Sequence, residues 1–316
     1  MGYKTKISVL TGLSAILILV FLFTDISGNW SYILSRRITK LAAMILTGAA
    51  IAFSTVVFQT ITNNRILTPS ILGLDSLYML IQTFLIFAFG SMNLTMLNQN
   101  MNFLLSVGLM IAFAGLLYKL LFKGEQHNIY FLLLIGLVIG TLFESLSTFM
   151  QVLLDPNEFM VVQDRMFASF NNVNDELLII SSIGLAAITL YALKFLKYLD
   201  VLSLGRDQAV NLGVNYDYVI KRLLIIIAVM VSVSTALVGP ITFLGLLVAN
   251  VAHEFMRTYR HHYLILGAVL ISFIALIGGQ LLVERAFTFS TTLSVIVNFV
   301  GGVYFIYLLL KESKKW

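Results

Sequence analysis

The residues of this chain that could perform chemistry are few and scattered. Cysteine is absent, which excludes a disulfide, a thiolate metal site and a cysteine nucleophile. No glycine is followed by Lys and then Ser or Thr, so the chain lacks the phosphate-binding loop of ATPases. No H-E-x-x-H sequence occurs, so it also lacks the zinc-binding motif of metalloproteases. The four histidines are His127, His253, His261 and His262. A metal pair at His261-His262 remains conceivable, but polar residues at a membrane interface are the simpler interpretation.

One carboxylate, Glu144, lies in the middle of a long hydrophobic run. Such a residue costs on the order of 3 kcal/mol to insert unless it faces protein or water. It follows Gly140 by four residues and Gly136 by eight, which places all three on one stripe of a helix. Two interpretations stay open: a hydrogen bond between helices at a G-x-x-x-G contact, or a carboxylate that faces a polar path. Because Glu144 has no clear intramembrane companion, an ion-coupled secondary transporter is the less favoured alternative.

The elements that must position these residues are membrane-spanning helices. The chain has 316 residues, of which 59% are hydrophobic and 11% charged, whereas soluble domains carry roughly a quarter charged residues. This excludes an ordinary soluble enzyme, a disordered protein and a water-soluble nucleic-acid binder. Two of the eight charge-free runs are too long for one helix, and they break at the polar patch Ser91–Asn102 and at Gly239-Pro240.

We therefore predict an all-α polytopic membrane protein with about ten transmembrane helices in one domain, residues 1–316. The predicted helices cover residues 7–25, 38–60, 70–90, 102–122, 128–152, 176–198, 220–239, 241–258, 262–283 and 293–311.

The lysines and arginines predict that both termini are cytoplasmic. With that orientation, fifteen of the 20 cationic residues lie inside and five outside, as the positive-inside rule requires. The five outside cations oppose the bias, so we expect some of them to have a function. They are Arg36, Arg37, Lys40, Arg165 and Arg285.

The longest inside loop, residues 202–214, predicts a short helix between Gly205 and Gly213. Ala209 and Leu212 lie three residues apart and share a face. A compact amphipathic helix of this kind suits docking to a soluble partner, or it lies flat in the lipid headgroups. The residues alone leave both interpretations open.

The pattern L-x-L-G-x-x-x-A-x-x-L-G-V in this loop resembles the coupling-helix signature of one family. These are the permease subunits of type II ATP-binding-cassette (ABC) importers for iron-siderophores, haem and cobalamin. Three further stretches resemble the same family in the right order. They are Gly48–Gln59 with Asn64 and Pro69–Gly73, then Arg165–Phe170, then Gly239–Leu246.

Departures from the family pattern concern the ligand more than the class of protein. Thr55 replaces a usual glycine, Arg65 a usual proline, and Ala249-Asn250 a usual Pro-His, while Ser290–Ser294 replaces the segment E-L-P-x-G. These departures look like those of catecholate-siderophore permeases.

The resemblance implies a multi-pass permease of the bacterial cytoplasmic membrane that imports an iron-siderophore and is not itself an enzyme. Its implied partners are ABC ATPase subunits, a second permease copy or related chain, an extracytoplasmic siderophore-binding lipoprotein and the lipid bilayer, with no nucleic acid. It implies no directly bound cofactor, no catalytic residue and no metal site, because ATP is used by the ATPase subunit.

The resemblance also implies three sets of functional residues. The coupling helix, about residues 203–213, would bind the ATPase through Ser203, Leu204, Gly205, Arg206, Ala209, Leu212 and Gly213, with Ala209 facing the ATPase. The binding protein would dock on Arg37, Lys40 and Arg285. The fifth and tenth helices would line the translocation path, with Glu144, Gln59 and Asn298 as path residues.

Overall fold

The computed structural model describes residues 2–24, 29–90, 99–121, 129–171, 173–288 and 291–313. Over these ranges the chain forms thirteen α-helices and one 3-10 helix, with no strand. The 3-10 helix covers Pro69–Leu72. The α-helices are α1 (Tyr3–Phe23), α2 (Trp30–Thr62), α3 (Leu74–Phe89), α4 (Gln99–Leu121), α5 (Ile129–Val152), α6 (Pro156–Met166), α7 (Asp175–Leu193), α8 (Leu196–Leu202), α9 (Arg206–Asn211), α10 (Tyr216–Val238), α11 (Leu244–Met256), α12 (His261–Arg285) and α13 (Leu293–Ser313).

Ten apolar helices lie where the hydrophobic runs predicted them. Eight of the described helices, α1, α2, α4, α5, α7, α10, α12 and α13, are long and apolar enough to cross a membrane. The other two, α3 and α11, have only 16 and 13 residues. The predicted polytopic all-α architecture is confirmed. Residues 91–98 of the predicted polar break, like Lys123 and His127, lie outside the described residues.

The two short apolar helices each follow a non-helical segment. The 3-10 helix and Gly73 precede α3, and Gly239–Phe243 precede α11. Gly73 and Gly239 have φ values of +79° and +97°, which glycine adopts without the steric cost of a side chain. Irregular backbone within a membrane requires burial in protein or a water-lined cavity. These two segments are therefore held by neighbouring helices.

Several elements differ from the predicted ones. Helix α2 begins at Trp30 rather than near residue 38 and has 33 residues, a length of about 50 Å. The run of charges at Arg36–Lys40 suggested a helix end, but the helix continues because these side chains find partners in the chain. The short helices α6 and α8 were not predicted, since seven to eleven residues between long spans give little periodic signal.

The protein core is built on three central helices. In the most apolar part of α2 and α10, 72% of residues are buried, and in α12 the figure is 56%. Helix α2 packs against both α10 and α12. The spans α1, α4, α5, α7 and α13 bury only 17–33% of the same window. These outer helices present most of their surface to lipid, to water or to another chain.

Candidate functional site

The predicted coupling segment forms a short helix between two glycines, as its sequence indicated. Helix α9 begins directly after Gly205 and ends before Gly213, and both glycines have positive φ, +95° and +81°. The Ser203 hydroxyl donates to the Asp200 carbonyl at 2.7 Å, which joins the end of α8 to the turn. We refer to residues 203–213 as the coupling segment.

The exposed face of the coupling segment differs from the predicted one. Ala209 is 0% exposed and belongs to the chain's own core, whereas Leu212 is 63% exposed. The expectation that Ala209 faces a partner is therefore wrong. The physical reason is tertiary packing: α9 lies against α8 and α10, and the face that carries Ala209 belongs to the hydrophobic core. Three apolar side chains of this segment are exposed: Leu204 (55%), Val210 (51%) and Leu212 (63%). Leu204 and Leu212 were predicted to contact the ATPase, whereas Val210 was not.

Arg37, predicted to dock a binding protein, binds its own chain. One guanidinium nitrogen, Nη1, donates to the carbonyl oxygens of Phe21, Leu22 and Thr24 at 2.9, 3.2 and 2.6 Å. Carbonyls at a helix C-terminus lack intrahelical donors, and a cation there also complements the helix dipole. Arg37 thus caps the end of α1 from α2.

The other two predicted docking residues lie at the same end of the bundle. Lys40 Nζ lies 3.0 Å from Glu284 Oε1, with side chains 17% and 15% exposed, and Gln280 donates to the same oxygen at 2.8 Å. Arg285 donates to the Thr24 hydroxyl. These contacts join α1, α2 and α12, so a structural role accounts for three of the five cations that oppose the positive-inside bias. The docking of a binding protein on Arg37, Lys40 and Arg285 stays a prediction.

The remaining two outside cations, Arg36 and Arg165, are exposed. Both line a cavity of about 550 Å³ at one end of the helix bundle, the end that the sequence predicts to be outside, together with Gln82 and Asn102. Gln82 and Asn102 exchange side-chain hydrogen bonds at 3.1 Å. Tyr78 also belongs to the wall of this cavity. The sequence signal for this cavity was the positive charge of these two arginines at the end that is predicted to be outside.

Gln59 and Asn298, predicted path residues, are engaged within the chain. Gln59 is 3% exposed, and its Nε2 donates to the Arg65 carbonyl at 2.6 Å. Asn298 Oδ1 accepts from the Phe243 backbone N–H at 3.3 Å. Both therefore hold the non-helical segments that precede the short helices α3 and α11. A role in the path remains a prediction.

Glu144 is separated from the two glycines with which its spacing grouped it. A Cβ at Gly136 would lie 2.9 Å from Leu72 Cα, and one at Gly140 would lie 3.1 Å from Gly73 Cα. The two glycines therefore pack on the 3-10 helix and the start of α3, while Glu144 is exposed on the surface of α5. The predicted G-x-x-x-G contact exists, but Glu144 is not part of it.

Helix α5 exposes further polar groups beside Glu144. Thr141, Ser145 and Thr148 are exposed, and each hydroxyl donates to the carbonyl four residues before it at 2.8–2.9 Å. A polar stripe on an otherwise apolar membrane helix requires contact with water or protein. We refer to Thr141, Glu144, Ser145 and Thr148 as the α5 polar stripe.

The rings of His261 and His262 contact different groups. The His261 ring lies between Asp200 and Thr60, at 2.6 and 2.9 Å, whereas the His262 ring lies 3.9 Å from that of Tyr263. Over the described ranges, no group of three or more His, Cys, Asp or Glu side chains is placed to hold a metal ion. The interfacial interpretation of the pair stays a prediction.

The chain is similar over most of its length to permease proteins of iron-siderophore import systems. The chain is 65% identical over 316 residues, 100% of both chains, to the petrobactin import system permease protein YclO of Bacillus subtilis (strain 168). It is 39% identical over 282 residues to the petrobactin import system permease protein FatC of Bacillus anthracis, covering 89% of this chain and 79% of that protein. An iron(3+)-hydroxamate import system permease protein, FhuG of Bacillus subtilis (strain 168), is 27% identical over 88% of this chain and 83% of its own length.

The fold is also that of a solved transporter. An inward-facing conformation of a metal-chelate type ABC transporter superposes with a TM-score of 0.85 over 98% of this chain and 100% of that chain, at 21% identity. This likeness confirms the predicted importer-permease fold. The model of the FecCD transport family matches residues 5–311. The chain therefore belongs to the FecCD transport family.

Proposed function

We propose that this chain is a permease subunit of an ABC importer that moves a ferric siderophore of the petrobactin type across the bacterial cytoplasmic membrane. The observation that carries the proposal is 65% identity over the full length of a petrobactin import permease. The ten apolar helices supply the transmembrane part, and we assign ATP hydrolysis to a separate subunit. The catecholate class inferred from the sequence stays a prediction.

The second permease of the complex is a related chain rather than another copy. Bacillus subtilis has two petrobactin import permeases, YclO and YclN, which are 65% and 25% identical to this chain. Bacillus anthracis has FatC and FatD, at 39% and 27%. In each pair this chain is much closer to one member, which supports a heterodimer in which it takes that position.

The translocation path lies between the two permeases and includes the α5 polar stripe. Its four polar side chains are exposed on the isolated chain, so they are available to a second permease or to a water-filled path. Gln59 and Asn298 support this path indirectly, by holding the segments before α3 and α11.

A separate ATPase supplies the energy and binds the coupling segment, with this end of the bundle in the cytoplasm. The exposed Leu204, Val210 and Leu212 give the ATPase an apolar contact surface. The alternative is that these side chains enter the lipid headgroup region. Because the native chain has no cysteine, Leu212→Cys gives a single thiol whose labelling by a water-soluble maleimide distinguishes the two: protection by the ATPase supports docking, and protection by lipid alone refutes it.

At the outer end, a siderophore-binding protein delivers the ligand. Docking on Arg37, Lys40 and Arg285 would require partners other than their present intrachain ones. Arg36 and Arg165 are also exposed and line the cavity at this end, so we expect them to make a first electrostatic contact as well.

Uptake of radioactive iron by proteoliposomes tests the function. The vesicles contain this chain, its paired permease and the ATPase, with binding protein outside and ATP inside. Ferric petrobactin should enter only with ATP and should enter faster than a ferric hydroxamate. The proposal would be overturned in favour of a secondary transporter if uptake did not depend on ATP but stopped when an ionophore removed the proton gradient.

A further inference from the structure

Three side chains from distant parts of the sequence meet beside the coupling segment. Asp200 belongs to α8, His261 begins α12, and Thr60 lies in the last turn of α2. Asp200 Oδ1 accepts from the His261 backbone N–H at 2.8 Å and contacts its Nδ1 at 2.6 Å. His261 Nε2 lies 2.9 Å from Thr60 Oγ1. His261 and Thr60 are 5% and 7% exposed.

The chemistry of the three groups fixes the imidazole ring. Because a carboxylate only accepts hydrogen bonds, the contact with Asp200 requires a proton on His261 Nδ1. Nε2 then either accepts the Thr60 proton or, when protonated, donates to the Thr60 oxygen. The Thr60 hydroxyl also lies 2.8 Å from the Val56 carbonyl of its own helix. Its single proton goes to that carbonyl when Nε2 is protonated and donates, and it is shared between the carbonyl and Nε2 when Nε2 is the acceptor.

Asp200 also supplies a cap that α12 lacks. Arg260, at the N-cap position of α12, makes no side-chain capping hydrogen bond. The first N–H groups of a helix need acceptors, and a negative charge there is stabilising. Asp200 provides both from a different helix, so the start of α12 is tied to α8 rather than to its own preceding loop.

The position of this cluster connects the coupling segment to the core. Asp200 lies three residues before Ser203, whose hydroxyl binds the Asp200 carbonyl. On the other side, α2 and α12 pack against each other and carry much of the buried core. A displacement of α8 and α9 therefore acts directly on the start of α12 and the end of α2.

We propose that Asp200, His261 and Thr60 are positioning residues that transmit movement of the coupling segment to α2 and α12 during transport. This inference rests on the proposed function, because it assumes that an ATPase moves the coupling segment. The contrasting possibility is a static cap that stabilises the fold and leaves the use of ATP unchanged. Transmission and a static cap predict different amounts of substrate imported per ATP hydrolysed when the cluster is changed.

The experiment uses the complete importer in proteoliposomes and measures ATP hydrolysis and iron uptake separately. Thr60→Val removes only the hydroxyl, Thr60→Ser keeps it, and Asp200→Ala removes the carboxylate. We expect Thr60→Val and Asp200→Ala to assemble and hydrolyse ATP while uptake per ATP falls about fivefold or more. Thr60→Ser should stay near the wild-type ratio. Glu254→Gln, which breaks an exposed pair with Lys311 at the same end of the bundle, is the control and should leave the ratio unchanged.

Two results would overturn the inference. One is an unchanged uptake-to-ATP ratio in Thr60→Val and Asp200→Ala, which would make the cluster a static cap. The other is an equal loss in Thr60→Ser and Thr60→Val, which would show that the hydroxyl is not the transmitting group. If Asp200→Ala fails to assemble, the comparison of Thr60→Val with Thr60→Ser decides between transmission and a static cap. Failure of the proposed function itself looks different, because the wild-type complex would then show no ATP-dependent uptake.

Discussion

Replacing Gly136 with alanine should push α5 away from the 3-10 helix. A Cβ at this position would lie 2.9 Å from Leu72 Cα and 3.1 Å from the Ile71 carbonyl oxygen. Both neighbours are backbone atoms, which cannot rotate aside as the end of a side chain can. Overpacking of this kind costs about 1–3 kcal/mol. The α5 polar stripe would move with the helix, so uptake should fall as well.

The matched control is Gly184→Ala on α7, where an added Cβ meets nothing within 4 Å. Alanine gains about 1 kcal/mol over glycine within a helix, and this gain is common to both variants. The difference between the two variants therefore isolates the backbone contact and should be about 1–3 kcal/mol in favour of Gly184→Ala.

Heating the purified permease in detergent and measuring the fraction that stays monodisperse gives the comparison. Gly136→Ala should lose this fraction at a lower temperature than the wild type, and Gly184→Ala should not. If the two variants melt together, α5 does not approach the 3-10 helix as closely as described. The assignment of Gly136 to a backbone contact would then be refuted.

Four other substitutions test the roles of single side chains. Leu212→Ser should leave thermal stability unchanged, because the side chain is 63% exposed, but weaken co-purification with the ATPase; Ala209→Glu should lower stability itself, because Ala209 is 0% exposed. Glu144→Gln should change the uptake rate without changing the amount of permease in the membrane, and unchanged uptake would end its assignment to the path. Lys40→Ala should lower stability by about 1–3 kcal/mol, because it leaves the mostly buried Glu284 carboxylate without its cation. Unaltered melting with loss of stimulation by the binding protein would instead support docking at Lys40.

The amino-acid sequence by itself determined the number, type and approximate positions of the membrane helices. Hydrophobic length is a local property, so runs without charge predicted ten apolar helices, and the structure contains them. The sequence also predicted where the backbone must adopt positive φ. Gly205 and Gly213 predicted the limits of the coupling segment, and both adopt positive φ there.

Tertiary structure decided which groups those helices bring together. Spacing placed Ala209 with Leu212, but in the structure α9 packs against α8 and α10, Ala209 is buried and Leu212 is exposed. Positive charge on the outer side suggested a partner for Arg37, whereas the free carbonyls at the end of α1 provide one within the chain. Thr60 and His261 are 201 residues apart and meet at 2.9 Å. Local periodicity carries no information about such contacts, because they depend on how the helices pack in three dimensions.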